Sequence, residues 1–206
     1  MIWNTFTHIL NRMKVSGFHV GQSTENEIYL TFDDGPNRKT AELFSFLDHR
    51  NIAATHFWLF NGEQTDFYKN ESTLQRIGIH GYNHVRYSKL NESETETEIV
   101  KCLTRLKETE IQFDPYFRSP YGSSNKFISS ICKKYHLKML YWSHILADYN
   151  DSFDPASVRH SLQSIKPGSI IVLHDKEKYF SRVCQTVRNI QDIAHERNLK
   201  LTCLPF

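Results

Sequence analysis

The sequence predicts a parallel α/β fold built as one domain. Strand-like apolar runs, about seven of them, alternate with stretches whose apolar residues recur at helical spacing, the pattern of a parallel sheet covered by helices. The 206 residues suit one large domain, able to bury roughly 70% of the surface its unfolded chain exposes. No linker or low-complexity stretch interrupts the alternation.

The first strand is Ile28 to Phe32, and it runs into Asp33-Asp34-Gly35-Pro36. A helix follows around Leu43, Phe46 and Leu47. Ala53 to Phe60, rich in aromatics, is the second strand, and Ile77 to His80 is the third, beyond a short polar segment. Ser93 with Glu96 has the spacing of a capping box. It opens a helix with Ile99, Cys102, Leu103 and Leu106 on one face. Tyr116 to Arg118 is a short strand, Phe127 and Ile131 mark a helix, and Lys138 to Ser143 is the fifth strand. Asp154-Pro155 supplies an N-cap and a proline at the first helical position, with Val158, Leu162 and Ile165 on one side. Lys166-Pro167-Gly168 ends that helix. Ser169 to Leu173 is apolar almost throughout, as in a strand covered on both faces. Val183, Val187, Ile190 and Ala194 stripe a last helix, and Leu199 to Leu204 closes the chain as a strand.

This alternation imposes a direction. In parallel α/β barrels the functional groups gather where strands end. Asp33 and Asp34 end the first strand, His80 and His84 follow the third, Arg118 ends the fourth, Asp148 follows the fifth and His174 ends the sixth. Residues spread over more than a hundred positions therefore converge on one face.

Composition narrows the function classes. A formal net charge of +2 argues against a dedicated nucleic-acid surface. Cys102, Cys132, Cys184 and Cys203 form no CxxC pair. They read as small buried side chains in a reducing compartment. Met1 to Val20 is interrupted by polar and basic residues and resembles no signal peptide, and no apolar run reaches transmembrane length. A cytoplasmic protein without a membrane span is the expectation.

Two adjacent carboxylates repel each other, so Asp33-Asp34 suggests a cation or a general base. His80 and His84, four apart, would point the same way on a helical turn. With Asp34 they make a two-histidine, one-carboxylate set for a divalent ion, leaving positions for water and substrate. The alternative is a pair of surface or core histidines. Asp33 would then be a base acting on a metal-bound water. Arg118 would pair with Asp33 and keep it ionised, unless it is only a structural ion pair. His174 would protonate the leaving amine, unless it is merely a satisfied buried histidine. The aromatics Trp58, Tyr82, Tyr121, Trp142 and Tyr149 suit sugar stacking or barrel core equally well.

Thr31-Phe32-Asp33-Asp34-Gly35-Pro36, the His80/His84 pair, Arg118-Ser119-Pro120-Tyr121-Gly122 and Gly168 to Asp175 occur in order. From about residue 28 to the C-terminus the chain resembles the polysaccharide deacetylase family, also called the NodB-homology domain or carbohydrate esterase family 4. The resemblance implies a distorted (β/α)7 barrel and hydrolysis of acetyl groups from N-acetylated, sometimes O-acetylated, saccharides. It implies a divalent metal, zinc first, with cobalt, nickel or manganese as alternatives. It makes Asp33 the base, Asp34, His80 and His84 the ligands and His174 the acid. Arg118 supports the base, Tyr121, Trp142 and Asp148 are expected at the substrate, and a backbone amide near Tyr121 would bind the oxyanion.

The chain departs from the family pattern at two places. Gly81 stands where the family usually has Ser or Thr after the first metal histidine. The usual Asp-x-x-Asp-Trp aligns with Ile145 at its first Asp and Tyr149 at its Trp; a shifted register would use Asp148, Asp151 and Ser152 instead. The family's first Asp tunes the acid histidine, so Asp148 or Asp175 is left to compensate. Two other readings stay open: a deacylase of a non-sugar amide, and a carbohydrate-binding protein that has lost turnover.

Overall fold

In the computed structural model the described residues are 25–62 and 72–205. The expectation placed on Met1 to Val20 lies outside them, as does most of the polar segment after Phe60. The strands are β1 (Glu27–Gly35), β2 (Ala54–Trp58), β3 (Gln75–Ile79), β4 (Tyr116–Phe117), β5 (Lys138–Met139), β6 (His144–Ile145), β7 (Ile170–His174) and β8 (Lys200–Thr202). The helices are α1 (Thr40–Asp48), α2 (Glu92–Thr109), α3 (Ile128–Lys134), α4 (Val158–Ser161) and α5 (Phe180–Glu196). The sheet order is β5-β4-β3-β2-β1-β7-β6, with β8 also on β1. Every pairing is parallel.

β1 is the hub because it is long enough to serve three partners. β8 pairs with Glu27–Tyr29 at its start, β2 with Thr31–Gly35 at its end, and β7 with Tyr29–Asp33. Period-2 alternation divides its side chains between two cores. Ile28, Leu30 and Phe32 face outward into a cluster with residues of α1, α4, α5 and β7. Tyr29 faces inward with Phe57, Tyr116, Leu140, Trp142, Ile170 and Val172, so Thr31 and Asp33 share that inner face. A third cluster joins β2–β5 to α2 and α3. Each fully buried Leu, Ile or Phe in these clusters contributes about 1.5–3 kcal/mol relative to exposure. The strand expected at Ser169 to Leu173 is covered on both faces as predicted, with Ile171 and Leu173 outside and Ile170 and Val172 inside.

The structure corrects three local expectations. The expected fifth strand divides into β5 and β6, giving eight strands among the described residues. Leu140 N donates to Phe117 O, whereas Ser143 N donates to Ile170 O. Residues 140–143 thus cross from the β4 side of the sheet to the β7 side and span the seam between the two edges. The capping box belongs to Asn91 and Glu94, not Ser93 and Glu96. Asn91 Oδ1 accepts from Glu94 N at 3.0 Å and Glu94 Oε2 accepts from Asn91 N at 2.8 Å. Asn caps as well as Ser, so the helix starts two residues earlier. The helix after Asp154-Pro155 is reduced to a 3-10 turn and α4, although Asp154 does cap it by accepting from Ala156 N. Residues 204–205 close the end of the barrel remote from the motifs. There Leu204 enters the inner core, its N–H donates to Thr55 Oγ1, and the Tyr116 hydroxyl donates to Pro205 O.

Candidate active site

β1, β3, β4 and β7 deliver their motif residues to one cavity of ≈ 370 Å³. Asp33 and Asp34 end β1, His80 follows β3, His84 follows a turn later, and His174 ends β7; all line this cavity. Arg118 follows β4 and lies beneath it, 0% exposed.

Asp34 and His84 both have positive φ, 74° and 52°. For residues other than glycine this conformation costs about 1–3 kcal/mol, a strain often found at functional sites. The result is convergence. His84 Nε2 lies 3.0 Å and His80 Nε2 3.5 Å from the same oxygen, Asp34 Oδ1. One ligand atom from each of the three residues falls within 4.8 Å of the others. His80 Nδ1 lies 2.9 Å from the Arg118 carbonyl oxygen, which can only accept, so Nδ1 carries the proton. A neutral His80 then turns the Nε2 lone pair toward a carboxylate oxygen. Asp34 Oδ1 is buried without a hydrogen-bond partner. Lone pairs facing one another across 3.5 Å need a positive centre between them, and two imidazoles with a carboxylate fit a divalent transition ion. Burial opposes ionisation of Asp34, yet the close approach of the His80 and His84 imidazoles outweighs it and holds the carboxyl well below the usual range.

Asp33 is 4% exposed. Its Oδ1 accepts from Arg118 Nη1 at 2.8 Å. The same Nη1 donates to Thr31 Oγ1 at 2.8 Å, and the Thr31 hydroxyl donates to Ile171 O. The guanidinium also stacks on Phe57, 4.0 Å from its centroid. Its position is therefore set from below, and it leaves Asp33 Oδ2 toward the histidines, 3.9 Å from His80 Nε2.

The question of His174's partner has one answer. His174 Nδ1 meets Asp148 Oδ1 at 2.8 Å, and the His174 backbone N–H donates to Asp148 Oδ2 at 2.8 Å. Burial pushes the imidazole pKa down, but the hydrogen bond and charge of Asp148 outweigh it and the net shift is upward. Asp148 was expected at the substrate; instead it is 1% exposed and both its oxygens are turned to His174. Its place is behind the histidine, directly after Ala147, whose φ is 53°. Asp175 is no partner of His174. Its Oδ2 accepts from Thr40 Oγ1 and its Oδ1 from Asn37 Nδ2, tying the β1–α1 loop to β7. Burial pushes its carboxyl up against the pull of those hydrogen bonds.

Tyr121 and Trp142 stand on the cavity wall, with Ile145 and Tyr149. Tyr149 meets the His174 ring edge-on at 4.8 Å. Gly122 has to be glycine, since a Cβ there would come 2.8 Å from the Trp142 ring. Gly81 has φ +101°, a conformation that a Ser or Thr would adopt only with strain. Its loop is steadied from α2. The Glu98 carboxylate accepts from Asn83 N at 3.0 Å and Asn83 Nδ2 at 2.6 Å, between the two histidines in sequence. Three contributors escaped the sequence reading: Glu98, Arg86 and Lys176. Arg86 and Lys176 line the cavity. Each lies two positions beyond a motif histidine, the one available signal; Glu98 looked like any helix-surface acid.

A family model described as polysaccharide deacetylase matches residues 20–140, more than half of the sequence. The chain belongs to the polysaccharide deacetylase family. This deacetylase-family chain is 29% identical over 188 residues to a bifunctional xylanase/deacetylase of Pseudobutyrivibrio xylanivorans, covering 86% of this chain and 29% of that protein. It is 28% identical over 160 residues to a peptidoglycan-N-acetylglucosamine deacetylase of Bacillus cereus, covering 75% and 58%. It thus spans under two thirds of the length of both. Among solved structures, a peptidoglycan N-acetylglucosamine deacetylase in complex with 4-naphthalen-1-yl-N-oxidanyl-benzamide superposes with TM-score 0.82 at 23% identity, covering 98% of this chain and 96% of that one. That likeness establishes the expected fold, a parallel sheet curled into a distorted (β/α)7 barrel.

Proposed function

We propose that the protein is a metal-dependent hydrolase that removes acetyl groups from an N-acetylated, or O-acetylated, saccharide. The observation that carries the proposal is the meeting of two imidazole nitrogens and one unpartnered carboxylate oxygen at a point beside Asp33 and His174. Asp34, His80 and His84 would hold the ion, zinc first by its donor set, with cobalt, nickel or manganese as alternatives. A divalent cation held there would supply Lewis acidity, making water a better nucleophile and the acyl carbon a better electrophile.

The rest of the chemistry falls to the chain. Asp33, kept oriented by Arg118, accepts the proton of the attacking water. His174, held by Asp148 with Nδ1 engaged, offers Nε2 to the leaving nitrogen. The carbonyl carbon gains the water oxygen, its bond to nitrogen breaks, and the nitrogen leaves with a proton from His174. Acetate and a free amine result. Tyr121 and Trp142 offer aromatic faces for the sugar. Membership of a family whose relatives include a peptidoglycan-N-acetylglucosamine deacetylase supports an acylated amino sugar as substrate.

The test is metal content by elemental analysis, followed by acetate release from N-acetylglucosamine oligomers with added zinc or cobalt. About one ion per chain and equal yields of acetate and amine are expected. A metal-loaded protein that releases no acetate from any acetylated saccharide would remove the proposal. Acetate from simple amides alone would move the activity to a non-sugar deacylase.

A further inference from the structure

Lys176 stands beside the ligand cluster without a part in the chemistry above. It lies just past β7, and its main chain is anchored on both sides. Before it, Asp175 N donates to Asp33 O at 2.7 Å, and the Asp175 carboxylate accepts from Asn37 and Thr40. After it, Tyr179 N donates to Lys176 O at 2.9 Å as the 3-10 turn Glu177–Tyr179 begins. The root of the side chain is therefore fixed against the β1–α1 loop, and its Nζ comes to 3.1 Å from Asp34 Oδ2. Asp34 is its one ion-pair partner among the described residues.

The two oxygens of Asp34 are thus divided. Oδ1 faces both imidazoles, at 3.0 Å and 3.5 Å, and has no hydrogen-bond partner. Oδ2 is taken by the ammonium. The division matters because a carboxylate can hold a cation through one oxygen or both. An ammonium on Oδ2 leaves Oδ1 alone for an ion, so Asp34, His80 and His84 supply one atom each and positions stay open for water and substrate. It also sets one positive charge beside another, which weakens the hold on the ion. The Asp34 side chain is 10% exposed and that of Lys176 42%, so solvent screens the repulsion without freeing the carboxylate.

The geometry points to Lys176 as a positioning residue that restricts Asp34 to one ligand oxygen, so that the ion is held less tightly and a coordination position stays open for the reaction. This rests on the metal-dependent reading above. The other cations at the cavity are engaged elsewhere: Arg118 donates to Asp33 and Thr31, and Arg86 lies over the Tyr121 ring. Without the Lys176 ammonium, Oδ2 is released to join Oδ1 on the ion.

Lys176→Met keeps most of the side chain's length and removes its charge, whereas Lys176→Arg keeps the charge and the donors. Lys178→Met is the control, losing the same charge from an ion pair with Asp151. Zinc affinity is measured by competition with a chromophoric chelator, coordination by the visible spectrum of the cobalt-loaded chain, and turnover by acetate release. Lys176→Met is expected to bind zinc about three- to tenfold tighter, with its cobalt bands weakened as a further oxygen joins the ion. Its kcat should fall about tenfold, the scale found for groups that orient metal ligands. Lys176→Arg and Lys178→Met should stay close to the unaltered chain in all three measurements. Zinc affinity unchanged or weakened in Lys176→Met would overturn the inference. So would tighter binding with an unchanged cobalt spectrum, an effect of charge alone, or tighter binding matched by Lys178→Met. A chain that takes up neither metal would remove the metal-dependent reading along with it. Tighter zinc and an altered spectrum in Lys176→Met, with no acetate released from any saccharide by the unaltered chain, would uphold Lys176 and remove the deacetylase reading.

Discussion

Asp33 and Asp34 are neighbours in sequence, yet the fold gives them separate surroundings. Asp33 faces Arg118 through a 2.8 Å ion pair, whereas Asp34 turns through a positive φ to meet two imidazoles. Their variants should therefore fail in different ways. Asp33→Asn is expected to keep its metal and lose turnover by a factor of at least about 100, the scale of a lost general base. His80→Ala is expected to lose metal affinity itself. Elemental analysis and acetate release on the same preparations check both, and an active Asp33→Asn would remove that residue as the base. His174 carries a further prediction. Asp148 raises its pKa above the ordinary value of 6.5 despite burial. The protonated acid is therefore more favoured than in a free imidazole, and kcat should fall as pH rises through the elevated value. In Asp148→Asn the carboxylate charge is gone, burial dominates, and the alkaline limb should move to lower pH. A limb unmoved in that variant would exclude His174 as the group it reports.

At the scale of elements, the loop from His80 to His84 depends on a helix that contributes no residue to the cavity lining. Glu98, 7% exposed on α2, accepts two hydrogen bonds from Asn83. With Gly81 at positive φ, this clamp restrains a loop that would otherwise be free to adopt other turns. Glu98→Ala is expected to weaken metal affinity about 10- to 100-fold, the range found for groups that orient metal ligands. Glu98→Gln, which retains one acceptor oxygen, should weaken it less. Competition with a chromophoric chelator measures both, and an unchanged affinity would assign the loop's order to its backbone alone. α2 also shows how local rules mislead by small steps. Ser93 and Glu96 have capping-box spacing, but Asn91 and Glu94 have it too, and only the path of the chain out of Leu90 selects between them.

For the whole molecule, the site is where separate strands of a continuous sheet come together, so ion binding and folding should be coupled. A divalent ion bound by residues from β1 and the loop after β3 binds the native state alone. Loading zinc at about 100 times its dissociation constant should raise stability by about 2.7 kcal/mol. Chelation should lower Tm accordingly, and the effect should vanish in His80→Ala. A Tm indifferent to zinc would mean that the three ligands do not share an ion. Among the described residues no helix is long and apolar enough to cross a membrane, and all four cysteines are free.

Much of this molecule was written into its local sequence. Hydrophobic period alone marked β1, β2, β3, β7 and α5, because a buried strand or an amphipathic helix repeats its apolar residues whatever surrounds it. The strand-end rule placed Asp33, Asp34, His80, His84, Arg118 and His174 on one face, since parallel strands all point one way. What the tertiary structure decided were pairings between residues far apart in the chain. Asp148 rather than Asp175 holds His174, across 26 positions; Glu98 clamps Asn83 from α2; the fifth strand splits where the chain crosses the seam between β4 and β7. None of these has a period or a neighbour to announce it. Each is chosen by distance and direction in the folded chain, and those exist only after the barrel has closed around its core.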